Sequence, residues 1–145
     1  MSYARLDPEI GYVQGMNIIC SVIIFHGSSF DQCQQVFQFI MMGCEFRKLL
    51  QGQFELGYRI TDALLNFLKS RCYDLFAHIV ERFEINLTQF VIGWLIPLMG
   101  NVVPLKHMHL VINAFVEKGW AGVIKIILAL FLYLKNEILQ VRDEN

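Results

Sequence analysis

The chain has 145 residues, with 12 Lys+Arg against 13 Asp+Glu, a formal charge of −1, 55% hydrophobic residues and 17% charged ones. It is too apolar for a disordered chain, and it lacks the Lys/Arg excess that displaces counterions from a phosphate backbone, so a nucleic-acid partner is not expected. A chain of this length normally makes one domain and buries roughly 68–70% of its unfolded surface, and its excess of apolar residues over charge leaves some for a partner.

The opening residues Met1 to Pro8 hold no apolar h-region, so no cleavable signal peptide is expected. Next comes Asp7-Pro8-Glu9-Ile10-Gly11-Tyr12-Val13-Gln14-Gly15-Met16-Asn17, which sets one amide side chain beside two glycines ahead of an apolar run. A Gln in such a place either caps backbone N–H groups or stands in solvent, or it faces a partner's reaction centre. There its donor and acceptor can hold a water in line with a phosphorus atom without adding charge.

Apolar periodicity predicts helices over Gln14–Phe25, Ser29–Met42, Gly52–Lys69, Tyr73–Arg82, Leu87–Met99, Leu105–Lys118 and Ala121–Val141. Ser29 before Gln32 and Asn86 before Gln89 have capping-box spacing, so both mark helix starts. The second assignment makes the sequon Asn86-Leu87-Thr88 an accidental match. In the fourth helix Tyr73, Phe76, Ile79, Val80 and Phe83 are expected inward. Pro97 should kink or end the fifth. In the last, Val123, Ile126, Ile127, Leu130, Phe131, Leu134 and Ile138 point to a central position. Gly27, Gly43, Gly52, Gly100 and Gly119 follow apolar runs and are expected as left-handed helix ends.

Ile85 to Leu105 carries no charge and is long enough to span a bilayer. It also carries Asn86, Thr88, Gln89, Asn101 and two prolines, with no basic flanks, so a transmembrane segment is not expected. Cys20, Cys33, Cys44 and Cys72 form no CxxC pair, and His26, His78, His107 and His109 complete no ligand spacing. Free thiols, no metal and no organic cofactor are expected. With no alternating segment and no repeat or linker, the fold class is all-α: a single helical domain of about seven helices over residues 1–145.

Tyr12-Val13-Gln14-Gly15-Met16-Asn17 resembles the YxQGMN motif of TBC domains, all-helical GTPase-activating modules for Rab-type small GTPases. Asp7 to Gly11 resembles the family's lead-in, Phe90 and Trp94 its Phe…Trp helix, and Phe115-Val116-Glu117-Lys118-Gly119-Trp120 its Phe-Leu-x-x-Gly-Trp segment. The resemblance covers essentially the whole chain, as roughly the C-terminal two-thirds of such a domain. It implies that Gln14 is the glutamine finger that positions hydrolytic water. It also implies that Tyr12 supports the loop presenting Gln14, where the residues alone equally allow an ordinary half-buried aromatic. Nucleotide and Mg²⁺ would belong to the bound GTPase.

Two departures qualify this. No Asp is followed three positions later by Arg, so the family's arginine-finger motif IxxDxxR is absent, and Arg5 lies in the lead-in rather than in such a motif. Ile112-Asn113 stands where many relatives have Trp-Asp. Two readings follow. One is a Rab-binding regulator of membrane traffic, not itself a hydrolase, weak or inactive as an activator until an arginine-bearing segment completes it. The other is a catalytically inactive scaffold or structural subunit of a larger assembly. Either has an apolar face that a missing N-terminal segment or another protein would cover. The expected location is the cytoplasm, at membrane surfaces or inside a large assembly.

Overall fold

Ser29 opens a helix as its spacing requires: its hydroxyl accepts from the Gln32 N–H at 3.3 Å, and the Gln32 side chain accepts from the Ser29 N–H at 2.9 Å. Asn86 caps another, its Oδ1 accepting from the Gln89 N–H at 3.2 Å. In the computed structural model, which describes residues 3–142, the chain is helical throughout, with no strand among the described residues.

The helices are α1 (Tyr3–Leu6), α2 (Met16–Phe25), α3 (Phe30–Gln38), α4 (Arg47–Leu50), α5 (Glu55–Arg71), α6 (Tyr73–Phe76), α7 (Leu87–Leu95), α8 (Met108–Lys118), α9 (Trp120–Tyr133) and α10 (Lys135–Gln140). Wider π-type turns extend α3 through Phe39–Gly43 and α6 through Ala77–Arg82. Neighbours pack in sequence, α2 on α3 and α8 on α9, while α5 reaches across to α7 and α9. Their inward stripes meet in one core that includes Ile19, Val22, Ile40, Leu64, Leu68, Val91, Leu95, Phe115 and Ile127. A second knot within it is aromatic: the Phe46 ring lies 5.8 Å from Phe115 and 5.4 Å from Trp120.

Three expectations are corrected. The single amphipathic helix over Tyr73–Arg82 changes to a π-type turn after Phe76, marked by the Phe83 N–H bonding to the His78 carbonyl. Ile79 is buried as expected, but Leu75 and His78 are buried as well, while Tyr73, expected inward, is exposed. The last helix breaks at Leu134, which is exposed, and only Val123, Ile127 and Phe131 of its expected inner face are fully buried. Of the five helix-ending glycines, Gly27, Gly52 and Gly119 have positive φ, but Gly43 and Gly100 do not. Gly43 continues a π-type turn, and Gly100 lies in a turn where a Cβ would meet Ile18. The fifth helix stops at Leu95, ahead of Pro97, and the chain turns through Leu98 and Met99 with φ of 49° and 63°. Among the described residues no helix is long and apolar enough to cross a membrane.

Candidate functional site

Gln14 lies in the turn immediately before α2, and its side chain is exposed. The turn is fixed from its own α2 side by Asn17, whose Oδ1 accepts from the Gly15 N–H and from the Tyr12 hydroxyl, each at 3.2 Å. The Val13 carbonyl accepts from the Met16 N–H at 3.1 Å, and the Gly15 carbonyl accepts from Ile18 and Ile19, closing the first helical turn. Among the described residues, no hydrogen bond uses the Gln14 side-chain amide. Tyr12 is 63% exposed, not a half-buried aromatic, and its hydroxyl is tied to the turn.

Gly15 is required here for two reasons. Its φ of 112° lies where an L side chain is strained, and an added Cβ would stand 3.1 Å from Ile96 and 3.3 Å from the Pro97 backbone. The Gln14 turn is therefore seated directly on the broken end of α7. Pro97, expected only to end a helix, also forms the floor of this turn.

The other side of the turn is held by a polar cluster that the sequence did not reveal. Arg47, at the start of α4, donates from Nε to Asp7 Oδ2 at 2.6 Å and from Nη2 to Asp7 Oδ1 at 3.0 Å. The same Nη2 donates to Glu9 Oε2 at 2.6 Å. The Tyr3 hydroxyl donates to Asp7 Oδ2 at 2.6 Å, and Gln51 Nε2 to Glu9 Oε1 at 3.3 Å. The Gly11 N–H then bonds back to the Asp7 carbonyl, carrying the clamp to within three residues of Gln14. Two carboxylates two positions apart were the available signal that a cation was needed, but nothing in the sequence marked one 40 residues away. Arg5, the neighbour in sequence, is exposed at the end of α1 instead.

The fork leaves its mark on ionisation. Hydrogen bonding from Arg47, assisted by Tyr3, holds the Asp7 carboxyl down at about 2 from an ordinary 3.8. Arg47 and then Gln51 lower Glu9. Burial, followed by the adjacent Asp7, pushes the Tyr3 hydroxyl up to about 12. A carboxylate whose pKa falls on folding adds stability above its ordinary pKa and loses it as pH drops toward the folded value. Arg47→Gln is therefore expected to be less stable than the parent at neutral pH, with the gap closing between pH 3.8 and about 2. Urea unfolding across that window measures it; a constant gap would show that Asp7 is not the partner that matters.

Beside the turn lies an apolar cleft of about 430 Å³, lined by Tyr12, Met16, Cys20, Ile24, Phe30 and Phe37 among others. A second, of about 620 Å³, runs along Tyr3, Phe39, Met42 and Arg47. Phe30, Phe39 and Met42 are more than half exposed at the rims. Within the first, the Cys33 thiol donates to the Cys20 carbonyl, and burial, with Cys33 alongside, pushes the Cys20 thiol up to about 12.

Of the remaining motif residues, Phe115 is fully buried while Phe90 is 55% exposed. Trp94 is half-buried between Phe90 and Phe131, and Trp120 packs on Phe115 at 4.8 Å. Asn113 is exposed on α8, so the amide there interrupts no buried contact. No group of acidic, His and Cys side chains among the described residues is placed to hold a metal.

A family model described as the Rab-GTPase-TBC domain matches residues 1–139. TBC1 domain family member 4 of Mus musculus is 26% identical over 99% of this chain, and TBC1 domain family member 1 of Homo sapiens is 25% identical over 96% of it. TBC1 domain family member 2B of Mus musculus is 23% identical over 99%. The chain spans only 11%, 12% and 15% of the lengths of these proteins.

Proposed function

The chain belongs to the Rab-GTPase-TBC domain family, and from that premise we propose that it binds a GTP-loaded Rab-type small GTPase through the turn carrying Tyr12 and Gln14. The observation that supports this is the placing of an exposed amide, with no hydrogen-bond partner among the described residues, on a turn braced from both ends. In this reading Gln14 enters the nucleotide site and orients the attacking water, taking donor and acceptor roles that a charged side chain would not fill. Tyr12 steadies the turn through Asn17. The protein supplies no nucleophile of its own; the Rab carries the nucleotide and Mg²⁺.

The second half of the apparatus is a cation. The 145 residues contain no IxxDxxR, and an arginine finger contributes a factor of about 10³–10⁵, or roughly 4–7 kcal/mol of barrier. Water orientation alone leaves the charge on the transferred phosphoryl unneutralised. The chain by itself is thus a weak activator at most, and an arginine-bearing segment completes it for membrane-traffic regulation. The apolar clefts beside Tyr12 fit this picture as surfaces that further protein covers, on a module working at the cytoplasmic side of membranes.

Single-turnover GTP hydrolysis across a panel of purified Rabs tests the assignment. The expected result is binding to at least one GTP-loaded member and a slight acceleration that Gln14→Ala removes. Adding an arginine-bearing upstream segment is expected to raise that rate by about 10³ or more. Acceleration that survives Gln14→Ala, or no binding to any member, would overturn it. The absence of the arginine motif favours one alternative, an inactive TBC-fold scaffold, and that reading predicts Rab or assembly binding with hydrolysis at the intrinsic rate even after the arginine is supplied.

A further inference from the structure

We infer that Arg47 is the positioning residue for the Gln14 turn, acting through its fork on Asp7 and Glu9. This rests on the role proposed above for Gln14.

Arg47 is well placed for such a task because its own base is set into the core. The flanking Phe46 and Leu49 are fully buried, and Phe46 packs into the aromatic knot with Phe115 and Trp120. From that footing the guanidinium makes three short bonds to two carboxylates that alternate along the lead-in. A planar fork fixes both the position and the rotation of what it grips, which a lysine ammonium cannot do. The second oxygen of each carboxylate is also engaged: Asp7 Oδ2 by the Tyr3 hydroxyl as well as Arg47 Nε, and Glu9 Oε1 by Gln51. Nothing at Asp7 is left to rotate. The clamp reaches Gly11 through the Asp7 carbonyl, and Gln14 sits between that anchor and the Gly15 seat on Pro97.

The same geometry rules Arg47 out as a cation for the phosphoryl group. Its Nε and Nη2 are committed to carboxylates and its side chain is only 19% exposed. Its contribution is the alignment of Gln14, and it is felt only when water and phosphorus must be in line.

The test uses Arg47→Lys, which keeps the charge and loses the fork, and Glu9→Gln, at a side chain exposed enough that folding is not at stake. Affinity is measured for a panel of Rabs in two states, one loaded with a non-hydrolysable GTP analogue and one with GDP, Mg²⁺ and aluminium fluoride. For Arg47→Lys a loss of about tenfold is expected in the aluminium fluoride state, the scale set by a small misplacement of a catalytic group. No loss is expected with the GTP analogue, and no further loss in a Gln14→Ala background. Glu9→Gln is expected to show the same pattern with a smaller loss. Equal losses in both states, or an undiminished loss when Gln14 is already absent, would reduce Arg47 to a structural residue. A silent Arg47→Lys beside a damaging Gln14→Ala would overturn the positioning role alone. A silent Gln14→Ala would overturn the role of Gln14 and this inference with it.

Discussion

Gly122→Ala is expected to destabilise the fold by roughly 2–3 kcal/mol, as overpacking of a tight contact does, lowering Tm by about 4–12 °C in a chain of this size. The usual sign is the opposite, since alanine in a helix gains up to about 1 kcal/mol over glycine. Here the added Cβ would lie 2.3 Å from the carbonyl oxygen of Ala114 and 2.9 Å from its carbon, both backbone atoms that cannot rotate aside. Only the Gly119 turn separates α8 from α9, so relief requires the two helices to spread. Phe115 and Val123, fully buried where they meet, would lose packing as they did so. Gly93→Ala on α7 is the matched control: its Cβ meets nothing within 4 Å, and a gain of about 0.5–1 kcal/mol is expected. Thermal and urea unfolding of the two variants should move in opposite directions. A stabilising Gly122→Ala would mean that α8 and α9 do not approach as described.

That contact also shows where sequence reading reaches its end. Local chemistry was legible: Ser29 with Gln32 makes the predicted capping box, Asn86 makes one half of its own by accepting from the Gln89 N–H, and the helix before Pro97 stops. These outcomes depend on residues three or four apart, within the range over which a pattern can be read. The π-type turns beginning at Phe39 and Ala77 were not legible, because a one-residue change in hydrogen-bond span leaves the hydrophobic pattern almost unaltered and still rotates the buried face. Two of the four-residue helices, Tyr3–Leu6 and Arg47–Leu50, are too short to carry any period, and they are held by contacts made elsewhere. Gln14 is exposed at the turn before α2. Its fixing by Arg47 depends on a pairing across 40 residues that no local signal announces.

Gly15→Ala is expected to cost about 2–4 kcal/mol, combining backbone strain of about 1–3 kcal/mol at positive φ with a clash against the end of α7. Two other glycines separate these contributions. Gly11, with φ of 66°, and Gly27, with φ of 97°, face open space, so alanine at either pays for the backbone alone. The excess at Gly15 over these two then measures the contact with Ile96 and Pro97. The functional consequence is more specific. The Gly15 N–H and carbonyl both serve the turn, the first bonding Asn17 and the second closing the first turn of α2. A displaced Gly15 would therefore carry Gln14 with it while leaving the Arg47 clamp intact. Gly15→Ala should lose affinity for a Rab loaded with GDP and aluminium fluoride as Arg47→Lys does, although the two residues hold opposite ends of the same turn. Gly27→Ala, at the far end of α2, should leave that affinity unchanged. If it weakened binding as much as Gly15→Ala, general destabilisation would account for both, and the turn before α2 would have no special claim on the reaction.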